Sequence, residues 1–105
     1  MIQMEMECNS ITRLVLPAIR INIAEQLEHR YGMRQREIAA RLGIAQVAVS
    51  KYLSGNYSKA LKELTEKVRK SGIVDGAVIK AAGTEDEKEV NALISDLCYR
   101  FAAHD

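Results

Sequence analysis

The segment QREIAARLGIAQVAVSKYLSG, residues 35–55, constrains this chain more than any other stretch. Ile38 and Leu42 are one helical turn apart, and Val49, Tyr52 and Leu53 repeat the same spacing after an interruption at Gly43, Ile44 and Ala45. Apolar residues at three- and four-residue steps predict a helix over Gln35–Leu42 and another over Gln46–Leu53. Gly43 ends the first, because a left-handed backbone is least strained without a Cβ. Ala39 is small where the two helices cross, and Ile38, Leu42, Ile44, Val49 and Tyr52 form the apolar seam that sets the second helix across the first.

The rest of the chain reads as helix too. Ile11, Leu14, Val15, Ala18, Ile19, Ile23 and Leu27 form a stripe that ends near Tyr31-Gly32, with Arg13, Arg20 and Arg30 on the polar side. Pro17 falls inside that stripe, and a proline belongs in a first turn rather than an interior, so a break is expected there. Ser58 to Ser71 carries Leu61, Leu64 and Val68 on one face and is stopped by Gly72. Ile73–Ala82 is an apolar patch read as a short helix, with a buried strand as the alternative. Thr84-Glu85-Asp86-Glu87 has the form of a capping box, so a last helix is expected to start at Thr84. Its apolar residues Val90, Leu93, Ile94, Leu97, Cys98 and Phe101 recur at heptad-like steps.

Composition agrees with an all-α fold. One Pro and six Gly leave little for β-turns, and five aromatic residues leave the core to Leu, Ile, Val and Ala. A chain of 105 residues is enough for one core and too little for a two-domain enzyme. His29 and His104 have no recognisable nucleophile or metal partner, and no Gly-rich phosphate loop is present. Cys8 and Cys98 lack metal-ligand spacing, so no metal and no cofactor is expected, and both are read as reduced thiols. With no leader-like start and no long apolar run, the reading is a cytoplasmic chain without a membrane partner. The net charge of +1 conceals a division. Residues 11–70 hold 12 Lys or Arg against 5 acids, whereas residues 71–105 hold 3 against 7. A basic middle suits a polyanion, and an acidic end would be held away from it.

These residues resemble the lambda-repressor-like (Cro/C1-type, XRE) helix-turn-helix family of transcriptional regulators. Gln35 and Gln46 open the two helices as the paired glutamines do in that family. More narrowly, VLPAIRINIAEQLEHRYGMRQREIAARLGIAQVAVSKYLSG, residues 15–55, is similar to an archaeal subgroup. In some of those proteins the module is fused to a thiamine-phosphate-synthase-like sensor domain, which this chain is too short to contain. The resemblance implies sequence-specific binding of double-stranded DNA, with the second helix in the major groove. Gln46, Val47, Ser50 and Lys51 are then the base-contacting candidates: Gln46 for adenine N6 and N7, Val47 for a thymine methyl. Gln35, Arg34, Arg36, Lys59 and Lys62 are the candidates for phosphate. Ala45 departs from the pattern, since Thr or Ser usually caps the second helix, and its methyl cannot accept a hydrogen bond.

Residues 1–57 are thus expected to form the DNA-binding domain and residues 58–105 a helical extension packed on it. The extension is assigned to homodimerisation through Val90, Leu93, Ile94, Leu97 and Phe101, with packing on its own domain as the alternative. The regulator is expected to be a repressor, and no small-molecule effector is identifiable. Two other functions are alternatives: an antitoxin-type interaction module that regulates its own synthesis, and a redox-sensing regulator acting through Cys8 or Cys98. In some similar archaeal sequences a cysteine lies near the N-terminus, as Cys8 does here, and a C-x-x-C lies near the C-terminus. Here Ser95 stands in place of one of its cysteines.

Overall fold

A helix of 30 residues, α1 (Ile2–Tyr31), is the axis on which the other elements rest. Ile21, Asn22, Ile23 and Ala24 are consecutive and all buried, which a helix achieves only when neighbours cover it on every side. The neighbours are α2 (Gln35–Leu42), α3 (Gln46–Ser54), α4 (Lys59–Ser71), α5 (Asp75–Gly83) and α6 (Glu87–His104). This computed structural model describes the backbone of residues 2–104 and the side chains of residues 13–102, and no strand occurs among them. The side chains of Cys8, Ile11 and His104 lie outside the described residues.

The break expected at Pro17 does not occur, and α1 runs through it. Pro17 has no N–H for the carbonyl of Arg13, a loss that tertiary packing offsets. Val15 and Ala18, on either side of it, are both fully buried. Arg20 is not a plain surface residue either, because its Nε is buried without a hydrogen-bond partner among the described residues.

One core joins α1 to all the helices that follow. Val15, Ile19, Ile23 and Leu27 meet Ile38 and Leu42 of α2, Val49 of α3, Val68 of α4, Val78 of α5 and Ile94 of α6. Asn22 is buried among them and fixes α1 to α4, its Nδ2 donating to the Ala18 carbonyl at 2.8 Å and the Thr65 carbonyl at 3.1 Å. On the outside of the same pair, Arg69 binds Glu25 at 2.6 Å and also pairs with Glu66. These side chains are well solvated, so the pairs contribute at most about 1 kcal/mol. The Glu25 hydrogen bond raises the Arg69 pKa further. Burial, and then the negative charge of Glu25, pushes the Tyr57 hydroxyl up.

The short apolar patch is helix α5, not a strand, with Ala77, Val78 and Ala81 turned inward. The start of α6 differs from expectation. Because α5 continues to Gly83, Thr84 is the extended residue that follows it, and the cap moves to Asp86. Asp86 Oδ1 accepts from the Lys88 amide at 3.0 Å, while Thr84 Oγ1 accepts from the Asp86 amide at 3.1 Å. Val90, Ile94, Leu97 and Phe101 are buried within the one chain, and Leu93 is half-buried. The stripe assigned to dimerisation is therefore part of the protomer core, and pairing through it would require α6 to leave α1.

Candidate nucleic-acid interface

The two helices that carry the candidate base and phosphate contacts start close together. Arg34 precedes α2 with an extended backbone, and the Glu37 carboxylate accepts from its amide at 3.2 Å. Arginine has no acceptor to return, so only this half of a capping box is made. Gly43 then ends α2 at φ 68°, and the amides of Gly43 and Ile44 both donate to the Ala39 carbonyl. Ala45 is the extended residue before α3, and its side chain makes no capping bond. The Ala48 amide turns back to the Ala45 carbonyl at 3.0 Å, which leaves the amides of Gln46 and Val47 open to an outside acceptor such as a phosphate oxygen.

The surface of α3 is consistent with an outward task. Only Val49 is buried on this helix, with Tyr52 and Leu53 half-buried against the core. Gln46 and Lys51 are exposed and Ser50 is half-buried. Val47 is 63% exposed, an apolar side chain held in water at the start of a helix. An open cleft of about 450 Å³ is lined by Arg34, Gln35, Arg36 and Gln46. It joins the first turn of α2 to the first residue of α3. Two guanidinium groups and two carboxamides there provide donors for phosphate oxygens and a donor–acceptor pair for a base edge.

Among the described residues the chain has no group of His, Cys, Asp and Glu that could hold a metal ion. Residues 23–66 match the family model described as Helix-turn-helix. This segment is thus similar to helix-turn-helix modules. No curated protein and no solved structure shows significant similarity to the chain. The matched segment takes in the end of α1 from residue 23, all of α2 and α3, and the first part of α4. Among the described residues the fold is all-α, a helix-turn-helix with additional C-terminal helices.

The remaining candidates lie outside the cleft. Lys59 and Lys62 are exposed on α4, which rests chiefly on α1, and Lys62 Nζ stands 6.0 Å from the centre of the Tyr57 ring. Cys98 is a free, half-buried thiol on α6. Burial pushes its pKa up and the nearby Arg20 guanidinium only partly opposes this, the reverse of what a reactive sensor thiol needs. No described helix is long and apolar enough to cross a membrane.

Several positioning residues escaped the sequence reading. Arg41, which the spacing does not single out, is half-buried, and its Nε donates to the Ala81 carbonyl at 3.0 Å. Asn22 carried one local signal, a polar residue within the apolar run Ile21-Asn22-Ile23-Ala24. Asn91 carried none.

Proposed function

We propose that the chain is a transcriptional repressor that reads double-stranded DNA by laying the start of α3 in the major groove. The observation that carries this is the cleft shared by Gln46, Gln35, Arg34 and Arg36 beside the exposed Val47. Gln46 reads adenine through paired hydrogen bonds, and Val47 contacts a thymine methyl. Ser50 and Lys51 extend the contact by one turn. Arg34, Gln35 and Arg36 hold the phosphates at the edge of the groove, and Lys59 and Lys62 hold phosphates further along the backbone. The archaeal kinship rests on VLPAIR and YGMRQREIAARLGIAQVAVSKYLSG alone, and no ligand response comes with it.

Selection of bound duplexes from a random pool tests the reading. The wild-type chain is expected to enrich one sequence, and a palindromic result would show two copies bound on adjacent half-sites. Gln46→Ala is expected to lose about 1–3 kcal/mol of discrimination at one base pair. Lys59→Ala should weaken binding to all sequences and flatten the salt dependence by about one unit of slope. An unchanged selected sequence in Gln46→Ala would sink the placement of α3.

A further inference from the structure

Two helices outside the matched segment reach the joint between α2 and α3. Leu42 is the last residue of α2, so its carbonyl has no partner within the helix. Asn91 of α6 supplies one, its Nδ2 donating to Leu42 O at 3.2 Å and to Glu87 O at 2.9 Å. One residue earlier, Arg41 Nε donates to the carbonyl of Ala81, in the last turn of α5. One residue later, a Cβ on Gly43 would lie 2.3 Å from the Glu87 carboxylate, so the first turn of α6 sits directly over the turn of the module. Residues 41 and 42 are thus each bonded to the C-terminal helices, and the Glu87 side chain lies against Gly43. By contrast, α3 has only Val49 fully buried, and it packs on α1 and α2 with no comparable hold from α5 or α6.

We propose that Asn91 and Arg41 are positioning residues for DNA recognition, through which α5 and α6 hold the turn and so the orientation of α3. The proposal rests on the DNA-binding reading above. Base contacts need a side chain placed to within a fraction of an ångström, whereas phosphate contacts tolerate more freedom. Loosening the joint should therefore cost sequence discrimination before it costs general affinity for DNA.

The test uses the full chain at a temperature well below its unfolding midpoint, with the selected duplex and a scrambled duplex at one salt concentration. Asn91→Ala is expected to lower the ratio of specific to non-specific affinity about tenfold, equivalent to about 1.4 kcal/mol. That lies within the usual cost of leaving a carbonyl without its partner. Non-specific affinity should be unchanged, and amides from Gly43 to Val49 should exchange hydrogen faster. Ser95→Ala, an exposed change on the same helix, should alter neither. Arg41→Lys keeps the charge but removes the Nε donor, and is expected to lower the ratio several-fold; it decides the matter if Asn91→Ala is too unstable to assay. Equal loss of both affinities, or an unchanged ratio, would overturn the positioning role while leaving DNA recognition intact. A wild-type chain that selects no sequence would overturn both.

Discussion

Helices α3 and α6 both carry apolar residues at helical spacing, yet the fold places them in opposite environments. On α6, Val90, Ile94, Leu97 and Phe101 are buried by the rest of the chain. On α3, only Val49 is, and Val47 stays in water. The difference lies in their neighbours. α6 lies along α1 and also meets α2 and α5, whereas α3 meets α1 and α2 on one side and leaves the other uncovered. An apolar stripe marks the face a helix would bury, and only the assembled fold shows whether the chain itself buries it. A heptad-like pattern is thus weak evidence for pairing, while an uncovered valine beside two glutamines and two arginines is better evidence of a contact surface.

The contrast is broken most directly at Ile94. Truncating this fully buried side chain, Ile94→Ala, should cost about 3 kcal/mol of stability, as core truncations commonly do. Urea unfolding should give the same midpoint at high and low protein concentration, because the stripe belongs to one protomer. A midpoint that rises with concentration would mean that α6 pairs copies after all.

Asn22→Ala removes the buried tie between α1 and α4, and should cost about 1–2 kcal/mol in the same assay. On the α3 side, Ala45→Ser restores a side-chain acceptor at the helix start and should add about 1 kcal/mol, read as a higher unfolding midpoint. No gain there would show that the open amides of α3 are already satisfied. Val47→Ser should change stability by no more than about 0.5 kcal/mol, since nothing within the chain covers that residue. A larger loss would mean that α3 is held by contacts its exposure does not show.

The smallest effect concerns Cys98, whose raised pKa gives it less thiolate at a given pH than an unfolded chain would have. In a Cys8→Ser background, alkylation by iodoacetamide at pH 8 should be slow when the chain is folded. It should quicken in denaturant, or as the pH rises beyond the ordinary thiol range. Fast modification of the folded chain would revive the redox-sensing alternative.

Much of the module was legible because its signals are local. Gly43 ends α2, Ser58 caps α4 by accepting from the Leu61 amide at 3.2 Å, and Gly72 ends α4 in the left-handed conformation. Each of these depends on a residue's own backbone preference and on neighbours within one turn. Pro17 was misread for the complementary reason: its local preference is to end a helix, and contacts with distant residues override it. The start of α6 was placed two residues early because Thr84 and Asp86 are both good caps. What chose between them was the extent of α5. For the candidate site, Gln35 and Gln46 were readable from spacing, while Arg41 and Asn91 were not, since their partners lie 40 and 49 residues away.

By itself, the sequence determined that the chain is helical, where α2, α3 and α4 begin and end, and that a helix-turn-helix lies at residues 35–55. Those properties follow from periodicity and from capping, which act over a few residues. Only the tertiary structure decided that α1 passes through Pro17, that the α6 stripe is core, and that α5 and α6 grip the turn before α3. Each of these is a choice between surfaces of similar polarity, and it is made by whichever distant segment comes to lie against them.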